Sequence, residues 1–183
     1  MKKLFFFVVA MVCAVGVYAQ TDVTKFLGIP VDGFKDEMIS KLKAKGFRSH
    51  EYDKEVLVGE FNGQNVTIFV HTNNNKVWRI AVLYVENCDE TQTRTHFNNL
   101  CYQFENNPKY IQLKENQTIN ENENFGYEML VNKKRYDAYF LQKPETLKYS
   151  RKLVWFTINR NIGKYNIILY YENGNNEAKG EDL

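Results

Sequence analysis

The stretch Lys76-Val-Trp-Arg-Ile-Ala-Val-Leu-Tyr-Val-Glu86 constrains this chain more than any other. Its β-branched and aromatic residues, bounded by the Asn-rich turn 72–75 and by Asn87, read as one long strand. Successive strand side chains point to opposite faces. Strict alternation puts Trp78, Ile80, Val82 and Tyr84 on one face and Val77, Arg79, Ala81, Leu83 and Val85 on the other. Both faces are largely apolar, whereas a strand with one solvated face alternates apolar with polar. A fold around this strand therefore needs cover on both sides. Another half of the chain can supply it, as can the lead-in or tail, or a partner docking on a face left open.

Further strands are expected over 47–53, 55–61 and 65–71. Asn62-Gly63 is a type I′ hairpin signal, and such short connections make neighbouring strands antiparallel. A helix is expected over 34–45. Asp32 or Gly33 would cap it, Phe34, Met38, Ile39 and Leu42 would form its stripe, and Gly46 would end it in left-handed geometry. A second helix is expected over 90–105, with Phe97, Leu100, Cys101 and Phe104 on its apolar face. Strands at 109–114, 125–131, 135–141, 151–159 and 164–172 would follow, with long loops at 115–124 and 143–150.

The order of helix then strands recurs. Phe47 and Tyr110 open the two strand sets, and the run 151–159 around Trp155 echoes the one around Trp78. The expected fold is α+β: two consecutive helix-plus-antiparallel-meander units, with the helices on one face of the sheets. The first unit would span 20–87 with its lead-in and the second 88–172, followed by a disordered polar tail at 173–183. Each unit alone buries too small a fraction of its surface to be comfortably stable, so the two are expected to pack together.

The first residues read as an export signal over 1–19. Lys2-Lys3 precede an apolar run from Leu4 to Val17, which is short of the ~20 residues that a spanning helix needs. Val17-Tyr-Ala19 then supplies a cleavage site before Gln20. The mature protein would be periplasmic or extracellular, with no transmembrane segment after cleavage. Without Lys2 and Lys3, basic and acidic residues balance at 22 each. Such neutrality argues against a nucleic-acid partner. Asparagine is abundant, 21 residues clustered between apolar runs, and suits turns.

Catalytic and cofactor patterns are scarce. His50, His71 and His96 have no metal-ligand spacing, no serine sits in a nucleophile elbow, and no glycine-rich phosphate loop occurs. No catalytic, metal or cofactor residues are assigned, and no cofactor is expected. Cys88 and Cys101 are the two mature cysteines. They would be bonded if the helix between them started late, and would otherwise be buried free thiols.

Aromatic residues point toward a function. Trp, Tyr and Arg make interface hot spots, and the candidate partner-binding face comprises Trp78, Arg79, Tyr84, Tyr139, Trp155 and Tyr170. The expected activity is that of a non-enzymatic interaction module holding a protein, peptide or glycan over an aromatic-rich sheet face. The alternatives are an envelope structural or assembly factor, and an inhibitor-like protein or an enzyme of unfamiliar constellation.

Two resemblances bear on this. The tandem helix-plus-four-strand pattern resembles the architecture of secreted β-lactamase inhibitory proteins, a likeness of fold that carries no inhibitory residue over. Phe26-Leu-Gly-Ile-Pro-Val-Asp-Gly33, followed by Met38, Leu42 and Lys45-Gly-Phe47, looks like the opening of small exported proteins of gut Bacteroidetes. That likeness implies export and no particular activity.

Overall fold

The computed structural model describes residues 22–143 and 152–178. The expected export signal and most of the 143–150 loop lie outside the described residues. A short hairpin, β1 (Lys25–Phe26) and β2 (Ile29–Pro30), leads into helix α1 (Lys35–Ala44). Strands β3 (Arg48–Ser49), β4 (Leu57–Phe61), β5 (Gln64–Asn73) and β6 (Lys76–Tyr84) follow. Then come helix α2 (Glu90–Glu105), strand β7 (Tyr110–Gln112) and helix α3 (Phe125–Val131). Strands β8 (Asp137–Gln142), β9 (Leu153–Asn161) and β10 (Lys164–Glu172) complete the series.

Strands β3 to β10 form one antiparallel eight-stranded sheet in the order β3-β4-β5-β6-β10-β9-β8-β7. The fold is thus α+β, a large antiparallel sheet with three helices among the described residues. The long strand β6 lies at its centre and pairs with β10, Val82 opposite Leu169 and Ile80 opposite Tyr171. This corrects one expectation. Trp78 lies on the fourth strand from one edge and Trp155 on the third from the other, so their strands do not occupy matching places. Phe47 directly precedes the edge strand β3, and Tyr110 is the first residue of the other edge strand, β7.

Helix α1 buries Met38, Ile39 and Leu42. It ends where Gly46 takes φ +102, a conformation that costs glycine little. There the Phe47 N–H reaches the Leu42 carbonyl at 3.4 Å and the Gly46 N–H the Lys43 carbonyl at 3.0 Å. At its start Phe34 occupies the cap position with no side-chain cap, in place of Asp32 or Gly33. Asp32 instead accepts from the Gly33 N–H and the Asn176 amide. Helix α2 opens on a capping box between Asp89 and Gln92. Its Phe97 meets Phe156 at 5.0 Å and its Phe104 meets Phe140 at 4.8 Å.

The lead-in is part of the core. Phe26 is wholly buried, its ring 5.3 Å from Phe61 and 4.9 Å from Tyr171. Burying such a side chain contributes roughly 2–3 kcal/mol. It therefore ties β4 to β10 across the middle of the protein.

Several local expectations are overturned. Residues 125–131 form helix α3, not a strand. The Asn124 side chain accepts from the Tyr127 N–H at 2.9 Å, and Phe125 and Met129, four apart, both pack on the core. That spacing is helical. Only Arg48 and Ser49 pair in the first edge strand, shorter than the expected 47–53. The loop after β7 is pinned. Asn98 bonds both the N–H and the carbonyl of Ile119, and Gln117 bonds the Tyr139 backbone. The tail expected to be disordered from Asn173 is anchored over its first residues. Asn173 is buried, donating its N–H to the Trp78 carbonyl at 2.7 Å and its amide to the Val31 carbonyl at 2.8 Å.

Candidate functional site

The expected face is assembled by one irregularity in β6. Opposite His71 lies Arg79, yet opposite Thr72 lies Val77, so Trp78 is the extra residue of a β-bulge. Val77 and Ile80 are both fully buried although three apart. The bulge breaks the alternation, and Trp78 emerges beside Arg79, whose guanidinium carbon sits 4.0 Å from the Trp78 ring centroid. Strict alternation placed these two on opposite faces.

Register does the rest. Phe69, Ala81, Tyr170, Trp155 and Tyr139 stand opposite one another in a row across β5, β6, β10, β9 and β8. The rings form a ladder. Tyr139 stacks on Trp155 at 5.7 Å and 19°, and Trp155 on Tyr170 at 4.3 Å and 25°. Arg79 closes one end, 4.9 Å from the Tyr170 centroid. The Lys114 ammonium closes the other, 4.5 Å from Tyr139. Such cation–π contacts contribute about 0.5–1 kcal/mol each where partly exposed.

Glu172 holds the ladder from below. Its Oε1 pairs with Arg79 at 2.5 Å and accepts from the Trp155 indole N–H at 2.8 Å. The carboxylate side chain is 10% exposed and the Arg79 side chain 25%. Arg79 Nε has no hydrogen-bond partner among the described residues. At the far end the Tyr139 hydroxyl donates to Asp137 at 3.1 Å. Burial, and next the Asp137 charge, push that phenol above its usual range.

Five of the six expected face residues, Trp78, Arg79, Tyr139, Trp155 and Tyr170, therefore lie together, all half-buried. Tyr84 does not join them. It is 4% exposed, opposite Val66 in the core, and burial raises its phenol pKa. Sequence reasoning missed Glu172 and Lys114. Glu172 was within reach, being the only carboxylate of β10 and in phase with Ile168 and Tyr170. Lys114 belongs to a loop whose path no local pattern reveals.

The cysteines are free, and the Cys88–Cys101 bond is not formed. Asp89 caps α2 directly after Cys88. At ~1.5 Å per residue this sets roughly 18 Å of helix between the two. Cys88 instead lies 3.8 Å from His96 Nδ1, a contact the spacing did not suggest. Burial first, then Glu86 and Asp89, raise its thiol pKa, which keeps it protonated and a poor nucleophile. Burial pushes Cys101 up to about 12.

Among the described residues no three His, Cys, Asp or Glu side chains are grouped to hold a metal ion. No described helix is long and apolar enough to cross a membrane. The chain matches no protein-family model, no curated protein and no solved structure.

Proposed function

We propose that the protein is an exported, non-catalytic interaction module that docks a folded protein partner on its aromatic sheet face. It is built as two helix-plus-four-strand units joined through β6 and β10, with the helices on the side of the sheet away from that face. Export rests on Lys2-Lys3, the apolar run to Val17 and the small residues before Gln20.

The ladder is the observation that carries this reading. A sugar stacks on an open ring face. Tyr139 and Tyr170 take both faces of Trp155, and Arg79 and Lys114 take the outer faces of the two tyrosines. What remains is a rigid strip of ring edges with a guanidinium at one end. That favours a flat protein surface over a glycan. A surface already held in place loses little side-chain entropy on binding, and Trp, Tyr and Arg are the residue types that dominate interfaces.

The test is site-specific crosslinking in the native host. Leu153 lies on the same face, beside the ladder and outside it, between Leu141 and the Glu172 end of β10. A benzophenone amino acid at position 153 is expected to give one dominant protein adduct. The same group at Lys41, on α1, is expected to give none. Identical adducts from both positions, or none from 153, would overturn the proposal.

A further inference from the structure

A cleft of about 920 Å3 opens between the β1–β2 turn, the β4–β5 turn and the end of α2. It lies on the opposite side of the sheet from the ladder, since Leu169 and Tyr171 line it and Tyr170 between them does not. Its size is that of small-molecule sites, roughly 300–1,000 Å3.

The lining is divided by chemistry. Phe61, Leu100, Phe104 and Leu169 give an apolar floor. Lysines 25, 109, 143 and 152 line it as well, and no carboxylate among the described residues does. Lys152 is committed already, 2% exposed and paired with Asp22. Lys109 and Lys143 are exposed and adjacent, the Lys143 N–H bonding the Lys109 carbonyl at 2.8 Å. Beside them the Gln142 amide and the Tyr110 hydroxyl meet at 3.4 Å, at the boundary between the polar corner and the floor. Two exposed lysines at one end of an apolar trough complement one kind of ligand.

We infer that the cleft binds a single-chain amphiphile with a carboxylate head. The chain lies over Phe61, Leu100 and Phe104, and the head sits between Lys109 and Lys143. This is independent of partner docking on the other face.

The test titrates the protein with dodecanoate and with dodecyltrimethylammonium, a cation of the same chain length, by calorimetry below their micelle thresholds. Dodecanoate is expected to bind saturably and at least about tenfold more tightly than the cation. Lys109→Glu/Lys143→Glu is expected to weaken it about tenfold or more, while Lys41→Glu/Lys43→Glu, the same charge change on α1, leaves it unaltered. All four lysines are exposed, so both variants should keep the native circular dichroism spectrum. Methyl signals of Leu100 and Leu169 should shift on binding and the Trp155 indole signal should not. Equal affinity for both amphiphiles, equal effects of both reversals, shifts confined to Trp155 or no saturable binding would each overturn the inference.

Discussion

Trp155 donates its indole N–H to Glu172 across 2.8 Å, and the same carboxylate oxygen holds Arg79 at 2.5 Å. One acceptor therefore positions both the central ring of the ladder and the cation that closes it. The two donors sit on β9 and β6, on either side of the β10 strand that supplies the carboxylate. The contact thus bridges the middle of the sheet, and Glu172 is expected to govern both stability and the shape of the face.

Glu172→Ala should cost about 2–3 kcal/mol in urea unfolding. Removing one partner of a mostly buried pair strands the other charge, although the partial exposure of Arg79 softens the loss. Glu172→Gln keeps an acceptor for the indole and loses the ion pair, so it should cost about half as much. Equal losses for the two variants would mean that the charge contributes nothing. A loss below about 0.5 kcal/mol for the alanine variant would remove Glu172 as the organising group.

His71 adds a pH dependence at the edge of this face. It stands opposite Arg79. Burial first, then the charges of Arg79 and Lys35, hold its pKa below the usual 6.5. The folded protein therefore binds the imidazole proton less readily than the unfolded chain does. The stability this supplies is full above pH 6.5 and is lost as pH falls through 6.5 toward the folded value. Urea midpoints should drop from pH 7.5 to pH 5 by less in His71→Gln than in the parent. Proton NMR should place the His71 midpoint below 6.5, and a midpoint above it would refute the assignment.

Much of the fold is legible because it is written in local periods. The buried alternation of β5 and β10 and the Asn62-Gly63 turn, with φ +53 and +71, follow from neighbours in sequence. The bulge at Trp78 does not. An extra residue in β6 is visible only against the register of β5, and sequence alternation alone puts Trp78 and Arg79 on opposite faces. Helix α3 is hidden in the sequence because Phe125, Tyr127 and Met129 mimic strand alternation, while Asn124 caps it as a helix. The ladder itself comes from three strands falling into one register. Its aromatic members could be named from composition, and their stacking could not.

The β9–β10 turn breaks a rule that the β4–β5 and β5–β6 turns keep. Asn62-Gly63 and Asn74-Asn75 fill the two left-handed positions of their hairpins with residues that tolerate them. Ile162-Gly163 has φ +44 and +74, and Ile162 is 97% exposed. A β-branched residue there is strained by about 1–2 kcal/mol and gains no burial in return. Ile162→Asn should raise the stability by about 1 kcal/mol, read as a higher urea midpoint with unchanged slope. A neutral or destabilising result would mean that the turn relaxes in solution.

The two thiols give a last, independent check on the core. Cys101 is fully buried and Cys88 nearly so, and burial keeps both protonated. A thiol reagent at pH 8 should leave the native protein unmodified and label both cysteines once urea unfolds it, because the thiolate is the reactive form. Alkali acts on the same group. Between pH 9.0 and about 12 the unfolded chain releases the Cys101 proton and the native chain retains it. Unfolding is therefore favoured progressively as pH rises through that window. Cys101→Ala loses some packing at neutral pH and should show a flatter fall in stability above pH 9.0. Rapid labelling of Cys101 in the native protein would contradict its place on the buried face of α2.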